Sequence, residues 1–312
     1  CSQPGVHMMK RTGNVVVFGG AGFVGSHTAD ALSEVGYDVT VFDLQPSPYL
    51  RSDQQEIIGD IRDATAVGAA LDGCRVVYNF AGLADISDCF ERPLDTVREN
   101  VEGNAILLDA AVQSGVHRYV FASTIYVYSE AGSFYRVSKQ GCELYVEEYQ
   151  RRYGLDYTIL RYGTLYGRRA GAHNAIHGYL KQALTERRID CVGTGEELRE
   201  YIHASDAARA SVEILADEFA NQHVIITGHH PMRVRDLLAM IREIVGRDVE
   251  VNPQAGSMYD DSTKRDSGHY KLTPYNFQPK IGRKLAGNYY LDMGQGLLDV
   301  LEEIYQTEMS DR

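Results

Sequence analysis

A glycine-rich turn between a predicted strand and a predicted helix constrains this chain more than any other feature. The β-branched run "NVVVFGG" leads into "GGAGFVG", which places Gly19, Gly22 and Gly25 in the spacing G-x-x-G-x-x-G. The first glycine permits a tight turn, the second lets a pyrophosphate approach the backbone, and the third lets helix and strand pack closely. The start of the helix then offers free N–H groups to phosphate oxygens. The motif therefore predicts a dinucleotide-binding unit.

An acidic residue follows at the end of the second predicted strand. Asp43 closes "DVTVFD", about twenty residues further on, where a carboxylate accepts hydrogen bonds from an adenosine ribose. Because it would repel a 2′-phosphate, the sequence favours NAD over NADP. Asp60 and Ile61, after the third predicted strand, are predicted to hold the adenine ring. The other predicted cofactor contacts are Phe23 and Val24 beside the glycines, Phe80, Ala81 and Gly82 after the fourth strand, and Tyr162 in the sixth.

Strands and helices alternate through the first half of the chain. The predicted strands are Asn14–Gly20, Asp38–Asp43, Gln55–Asp60, Cys74–Gly82, Arg118–Ser123 and Leu155–Gly163. The predicted helices include Val24–Val35, Leu94–Ser114 and Ser138–Tyr153, and apolar residues recur on one face of the second of these. Such regular alternation predicts an α/β fold, a doubly wound parallel sheet with helices on both faces.

The pattern loosens after Gly167. The chain continues with predicted helices at Ser205–Leu215, Arg233–Val245 and Gly294–Tyr305, and the predicted strand His223–Gly228 can rejoin the first sheet. We predict a dinucleotide domain of residues 9–168, joined again by about 203–228. Residues 169–202 and 229–312 are predicted to form a smaller substrate-binding lobe, irregular over Asn252–Tyr290. Residues 1–8 are interpreted as a cloning remnant, because a Cys stands where a Met is expected.

The net charge and the cysteine content argue against several kinds of partner and site. The formal net charge of −12 argues against nucleic acid or an anionic membrane as a partner, since both attract basic surfaces. The five cysteines are scattered and odd in number, which is typical of reduced thiols in the cytoplasm. The histidines His173, His177, His229 and His230 are interpreted as loop and surface residues, and no metal site is predicted.

A hydroxyl-rich segment at the end of the fifth predicted strand indicates catalysis. In "STIYVYSEAGSFYRVSK", Thr124 precedes Tyr135 by eleven residues and Lys139 follows one helical turn later, so Tyr135 and Lys139 can share a helix face. A phenol has an ordinary pKa of about 10, but a nearby ammonium and a positively charged nicotinamide favour the phenolate. Tyr135 can then take a proton from a sugar hydroxyl while the carbon loses hydride to NAD. Thr124 can hydrogen-bond the same hydroxyl, and Ser123 beside it is placed at the substrate.

These motifs together resemble a known family. The segments "VVVFGGAGFVGSH", "ENVEGNAILLDAA", "YRVSKQGCELYVEEY", "YGLDYTILRYGTLYG" and "GTGEELREYIHASDAARA" are similar to those of the extended short-chain dehydrogenases/reductases, in the NAD-dependent epimerase/dehydratase family. The resemblance covers nearly the whole chain from about residue 13. It implies a Rossmann-type domain, NAD as cofactor and a nucleotide-diphosphate sugar as substrate.

The resemblance also implies roles for single residues. Asn100 is similar to an Asn that contacts the cofactor in the family, and Arg199 to an Arg that holds the nucleotide diphosphate, which suits a bidentate phosphate clamp on an acidic protein. Thr164 stands where the family usually has a substrate-binding Asn. Members are commonly homodimers through the helices represented here by Leu94–Ser114 and Ser138–Tyr153, so a homodimer is predicted.

The residues that follow Thr124 in the sequence limit which reactions can follow the oxidation. Dehydratases of the family typically carry Asp–Glu directly after the Thr, and decarboxylases usually a Glu two residues after it. This chain has Ile125 and Tyr126 there, and Glu130 is the nearest acid. The sequence therefore disfavours dehydration and decarboxylation, and leaves oxidation of C4 as the predicted first step.

Three functions stay open at this point. The short step from Thr124 to Tyr135, with "VYNFAG", "REYIHASDAA", "HYKLTPYNF" and "NYYLDMGQGLL", resembles a subgroup that oxidises C4 of GDP-linked heptoses for bacterial surface polysaccharides. A UDP-glucose 4-epimerase-like enzyme would instead reduce the 4-keto sugar again. A non-catalytic NAD-binding regulatory protein is an alternative of another class, and the intact Thr, Tyr and Lys argue against it.

Overall fold

The computed structural model describes residues 13–254, 280–287 and 289–308. Its strands are β1 Asn14–Phe18, β2 Asp38–Asp43, β3 Gln54–Ile58, β4 Val76–Asn79, β5 Arg118–Thr124, β6 Asp156–Tyr162, β7 Thr164–Tyr166, β8 Arg188–Val192, β9 Leu198–Arg199, β10 Tyr201–His203, β11 Gln222–Ile226, β12 Met232–Arg233, β13 Glu250–Gln254 and β14 Arg283–Lys284. Its helices are α1 Phe23–Glu34, α2 Ala64–Ala70, α3 Ile86–Glu91, α4 Pro93–Thr96, α5 Gly103–Gln113, α6 Ser133–Tyr153, α7 Ala175–Glu186, α8 Ala204–Glu213, α9 Val234–Val245 and α10 Met293–Glu308. A π-helical segment covers Val97–Glu102, and 3₁₀ turns cover Ile125–Tyr128 and Asp217–Phe219.

Within the described residues, eight strands form one sheet in the order β14-β11-β6-β5-β4-β1-β2-β3. All neighbours in it run parallel, so the predicted Rossmann-type α/β fold is confirmed. The strand order reverses beside β1, whose Val15 pairs with Val39 on one side and with Val76 on the other. A crevice forms at the carboxyl ends of the strands at such a reversal. The predicted return of "HVIITG" to the sheet is also confirmed, because β11 pairs with β6.

The core lies on both faces of this sheet and continues beyond it. Alternate residues of β1 face opposite ways, so that Val16 and Phe18 pack into one apolar cluster and Val15 and Val17 into the other. A third cluster joins α7, α9 and α10 with β8, outside the main sheet, and includes the fully buried Leu180. Its helices come from the segments predicted to form the substrate-binding lobe.

The predicted helix Leu94–Ser114 is present, and it contains a wide turn that the sequence did not predict. The segment Leu94–Ser114 is divided into α4, the π-helical turn Val97–Glu102 and α5. The wide turn directs Asn100 inward, where its amide bonds to the backbone of Leu83 and to Ser138. π-helical turns of this kind are frequent at functional sites.

Other predicted bounds also shift. Helix α6 begins at Ser133 and not at Ser138, because Gly132 with φ 99° ends the preceding segment there. The predicted strands β1, β3 and β4 end two or three residues before the sequence suggests, so the glycines belong to the loops. The predicted remnant at residues 1–8 and most of the irregular segment Asn252–Tyr290 lie outside the described residues. None of the described helices is long and apolar enough to cross a bilayer.

Candidate active site

A cavity of about 780 Å³ opens where the ends of β1, β2, β4, β5 and β6 meet loops of the second half of the chain. Most of the residues that the sequence assigned to cofactor and substrate line it. They are Gly19, Gly22, Phe23, Val24, Gly25, Asp43, Asp60, Ile61, Phe80, Ala81, Gly82, Ser123, Thr124, Tyr135, Lys139, Tyr162 and Thr164. Asn100 and Arg199 are absent from the lining that the described residues form.

The three glycines of the fingerprint occupy positions that exclude a side chain for different reasons. Gly19 has φ 75°, and a Cβ there would lie 2.6 Å from the backbone nitrogen of Ala81. A Cβ on Gly25 would lie 2.1 Å from the carbonyl oxygen of Gly19, so only glycine lets α1 pack on the turn. A Cβ on Gly22 would meet only that same oxygen, at 3.3 Å, which leaves its other side open to the cavity. The turn and the start of α1 therefore fit a dinucleotide pyrophosphate.

Asp43 is fixed beside this turn. Its Oδ2 accepts a hydrogen bond of 3.0 Å from the backbone nitrogen of Ala21. One carboxylate oxygen thus holds the glycine loop, and the other can accept from a ribose hydroxyl. The same charge would oppose a 2′-phosphate, in agreement with NAD as the cofactor.

Replacement of Asp43 by Asn tests this assignment. The variant keeps an oxygen for Ala21 and removes the charge, so we expect NAD to bind about tenfold more weakly and NADP to bind more tightly than in the wild type. Titration calorimetry with both dinucleotides measures the two changes. Asp53→Asn is the matched control, because Asp53 is exposed and pairs with Arg51. An unchanged NAD/NADP preference in Asp43→Asn would contradict the assignment.

An ion pair borders the part of the cavity that is predicted to hold the adenine ring. Asp60 accepts hydrogen bonds from the backbone and the guanidinium of Arg62, and the side-chain bond holds the Asp60 pKa below its usual value. Ile61 is buried and packs against Gly103. A Cβ added to Gly103 would lie 2.8 Å from the Ile61 side chain. Ile61 is therefore fixed by packing, and Asp60 and Arg62 form a paired edge of the cavity.

Thr124, Tyr135 and Lys139 stand together at the carboxyl end of β5. Thr124 ends that strand, and its hydroxyl accepts a hydrogen bond from the backbone nitrogen of Tyr126 at the start of the 3₁₀ turn. Tyr135 and Lys139 lie one turn apart on α6, with the Lys139 nitrogen 5.7 Å from the centre of the Tyr135 ring. A base, an ammonium and a hydroxyl donor thus line one wall.

Lys139 is held by the strand beneath it. Its Nζ donates a 2.9 Å hydrogen bond to the carbonyl oxygen of Ala122 and lies 5.0 Å above the Phe121 ring. The side chain is only 6% exposed, and this burial lowers the pKa of Lys139 from its usual value. The ammonium is thereby fixed close to the phenol that it is predicted to assist.

Ser123, which is predicted to lie at the substrate, has its hydroxyl engaged by another side chain. Its hydroxyl donates a 2.6 Å hydrogen bond to Oε1 of Glu143, a buried carboxylate on α6. Glu143 in turn accepts two hydrogen bonds from Arg161 on β6, at 2.9 and 2.6 Å. Ser123 lines the cavity, and its hydroxyl belongs to this buried network.

Two further predicted site residues lie elsewhere. Asn100 is 4% exposed, and its amide bridges Leu83 and Ser138, so it supports the loop after β4 and does not face the cavity. Arg199 lies on the short strand β9, where its guanidinium donates to the carbonyl oxygen of Leu198. A phosphate clamp by Arg199 stays a prediction.

The cavity also includes residues that the sequence did not assign. Asp85 and Ile86 follow β4, Tyr126 follows Thr124, and His173 and Asn174 precede α7. Asn174 caps α7 by accepting from the backbone nitrogen of His177. An N-cap signal in "HNAIHGYL" was available for Asn174, whereas no local pattern could place Asp85 opposite it. Among the described residues, no three His, Cys, Asp or Glu side chains converge as metal ligands.

Comparison with known proteins agrees with this geometry. Residues 15–227 match the sequence model of the NAD dependent epimerase/dehydratase family. A curated relative, the UDP-glucose 4-epimerase of Corynebacterium glutamicum, is 28% identical over 274 residues, which cover 77% of this chain and 83% of the relative.

Solved structures of similar proteins share the fold. A UDP-glucose 4-epimerase from Thermotoga maritima with UDP-glucose superposes with a TM-score of 0.78 at 25% identity, over 94% of this chain and 99% of the other. The UDP-glucose 4-epimerase of Thermus thermophilus in complex with NAD has a TM-score of 0.77 at 24% identity, with the same coverage. The similarity therefore extends over both the sheet and the second half of the chain.

Proposed function

The chain belongs to the NAD-dependent epimerase/dehydratase family, and from that premise we propose that it oxidises the C4 hydroxyl of a nucleotide-diphosphate sugar to a 4-keto sugar. At the coarser level it is an NAD-dependent enzyme that acts on nucleotide sugars. The observation that carries the finer proposal is the wall formed by Thr124, Tyr135 and Lys139, in one cavity with the dinucleotide turn. A GDP-heptose is the substrate that the sequence favours.

Each residue of that wall has a defined task. Tyr135 takes the proton of the C4 hydroxyl, and the buried Lys139 ammonium stabilises the phenolate that does so. Thr124 donates a hydrogen bond to the same oxygen as it becomes a carbonyl. NAD, when bound, supplies the acceptor for the hydride that leaves C4. The glycine turn, Asp43 and the loop Phe80–Gly82 would hold it.

The second wall suits a diphosphate. Helix α7 has twelve residues, and its capping residue Asn174 and the preceding His173 line the cavity. Free N–H groups at the start of a helix bind phosphate oxygens. A nucleotide sugar that lies from α7 towards Tyr135 would present its sugar to the catalytic wall.

The residues after Thr124 support oxidation without elimination. Ile125 is 5% exposed and apolar, and Tyr126 follows it in the cavity lining. Neither side chain carries a carboxyl group, which expulsion of water from C5–C6 would need. The wall thus favours a reaction that ends with the ketone, or one that reduces the ketone again.

The second candidate is a 4-epimerase. It is favoured by the relatives from Corynebacterium glutamicum and Thermotoga maritima, both UDP-glucose 4-epimerases. Epimerisation needs no additional acid or base, only space for the keto sugar to present its other face. The cavity of about 780 Å³ has a volume compatible with that.

One experiment separates the two candidates. The purified protein is denatured, and the released nucleotide is identified, while a panel of UDP-, GDP- and dTDP-sugars is incubated with fresh protein and NAD. A dehydrogenase gives a 4-keto product and an equal amount of NADH, whereas an epimerase retains NAD and gives an epimer without net NADH. If no sugar nucleotide in a broad panel reacts or binds, the proposed function is wrong.

We also infer that the protein is a homodimer. Helix α6 exposes Val137 and Leu144, which lie seven residues apart on one face. The segment made of α4 and the π-helical turn exposes Leu94 and Val97. The two segments pack against each other, so their apolar residues form one surface. A two-fold axis would place this surface against its copy, as in isologous dimers.

The double variant Val137→Glu, Leu144→Glu tests this dimer. Four like charges across one interface should produce a monomer with wild-type circular dichroism. Size-exclusion chromatography with light scattering measures the mass. Leu298→Glu is the matched control, since Leu298 is 48% exposed on α10, away from this surface. A monomeric wild type, or a double variant that stays dimeric, would overturn the inference.

A further inference from the structure

The loop that follows Asp43 borders the end of the cavity where the adenosine is predicted to lie. It connects β2 with β3, and four of its residues line the cavity, namely Leu44, Gln45, Pro46 and Pro48. Its middle is attached to β3, because the backbone nitrogen of Ser47 donates a 2.5 Å hydrogen bond to Oε1 of Glu56. The position of this loop therefore sets the shape of the adenosine end.

A residue from the second half of the chain contacts the same loop at Tyr49. The guanidinium carbon of Arg169 lies 4.6 Å from the centre of the Tyr49 ring, which is within the range of a cation–π contact. The same guanidinium donates a 2.8 Å hydrogen bond to Oδ2 of Asp30 on α1, and the two side chains of this pair are only 21% and 18% exposed. Arg169 thus joins the loop to the helix that begins at the glycine turn.

The backbone from which this guanidinium extends is itself fixed. Arg169 has φ 66°, in the left-handed region that residues with a side chain rarely adopt. Its backbone nitrogen donates to both carboxylate oxygens of Glu303 on α10, at 2.9 and 3.0 Å. The carbonyl oxygen of the preceding Arg168 accepts a 3.0 Å hydrogen bond from Nε2 of His27 on α1. Such a conformation persists only where the surroundings determine it, so the guanidinium has a rigid base between α1 and α10.

We propose that Arg169 is a positioning residue for NAD, which through Tyr49 holds residues 44–48 in the shape that receives the adenosine. Among the described residues that line the cavity, neither Arg169 nor Tyr49 appears, so their effect reaches the cofactor through the loop. A loop that is ordered before the ligand arrives lowers the cost of binding. This role concerns the dinucleotide alone, and it is the same for a dehydrogenase and for an epimerase.

Replacement of Arg169 by Met tests this role, because Met keeps an unbranched side chain and removes the guanidinium. We expect the Kd of NAD to rise about tenfold, since the loop must then be ordered when the dinucleotide binds. The Kd of ADP-ribose, which contains the adenosine but no nicotinamide, should rise by the same factor. Titration calorimetry with the two nucleotides measures both constants.

The neighbouring residue supplies the matched control. The guanidinium of Arg168 pairs with Glu302 on α10, and the side chains of this pair are 40% and 60% exposed. Arg168→Met therefore removes an equal charge one residue earlier, and it leaves the carbonyl oxygen that binds His27 in place. Because exposed ion pairs contribute little, both Kd values should stay within about twofold of the wild type.

Two variants of Tyr49 test the same contact from the side of the loop. They leave the hydrogen bond between Arg169 and Asp30 intact, so they decide the matter even if Arg169→Met fails to fold. Tyr49→Leu removes the ring and should raise both Kd values about fivefold. Tyr49→Phe keeps the ring over the guanidinium and should bind both nucleotides as the wild type does. In the Arg169→Met background, Tyr49→Leu should add little, because both changes remove one contact.

Several results would overturn the role of Arg169. Wild-type affinity for both nucleotides in Arg169→Met or in Tyr49→Leu would do so, as would an equal loss of affinity in Arg168→Met or in Tyr49→Phe. A Kd that rises much more for NAD than for ADP-ribose would also contradict it, because the damage would then extend to the nicotinamide end. These measurements need no sugar, so failure of the proposed function leaves them unaffected.

Discussion

Replacement of Tyr135 by Phe is expected to lower kcat for oxidation of the sugar by about 10³-fold or more. The variant retains the ring beside Lys139 but has no hydroxyl to receive the substrate proton, and positioned proton transfer contributes factors of about 10²–10⁴. The Lys139 nitrogen lies 5.7 Å from the ring centre, so the packing of the wall should not change. Steady-state and single-turnover rates of keto-sugar formation measure the loss.

The control for this prediction lies on the same helix. Tyr153 is 50% exposed at the end of α6, so Tyr153→Phe removes a hydroxyl outside the cavity and should keep full activity. Titration with NAD separates catalysis from binding, since Tyr135→Phe should bind the dinucleotide within a few-fold of the wild type. Full activity of Tyr135→Phe would refute the catalytic role.

The second large effect concerns stability and not turnover. Glu143→Ala is expected to reduce the free energy of unfolding by about 3–5 kcal/mol, because it leaves the charge of Arg161 uncompensated in the interior. The two side chains are 3% and 0% exposed, and they are joined by hydrogen bonds of 2.9 and 2.6 Å. Denaturation in urea, monitored by circular dichroism, measures the change.

Two further variants test whether the buried charge is the cause. Glu148→Ala breaks an exposed pair with Arg151 on the same helix and should change stability by less than about 1 kcal/mol. The double variant Glu143→Leu, Arg161→Met removes both buried charges and should recover much of the loss. A loss below about 1 kcal/mol for Glu143→Ala would contradict this account.

The sequence predicted well those parts of the fold that depend on the spacing of residues close together in the chain. The strand β2 and the glycine turn follow from local spacing, and parallel strands bring their carboxyl ends to one edge, which placed Asp43 and Thr124 in one cavity. The family and its cofactor followed from these motifs. The sheet could be predicted because each step repeats the same strand–helix unit.

The remaining features depend on partners far along the chain. Asn100 points inward because a π-helical turn brings it to Leu83 and Ser138, and a helical periodicity does not reveal such a turn. The Ser123 hydroxyl is engaged by Glu143, twenty residues away, and Asp85 meets the opposite wall at His173. Local patterns predict which strand end carries a residue but not where its side chain points.

The strand order has a consequence for the order in which the molecule assembles during synthesis. The strands β1 to β5, with the glycine turn and Asp43, are contributed by the first part of the chain and pair only with one another and with β6. Translation releases this half first, whereas domains generally fold as units. One face of this half stays uncovered until α8 has emerged, because residues of α8 complete the apolar cluster that contains Val15 and Val17. The glycine turn is thus complete in the chain before the sheet that supports it can be covered on both faces.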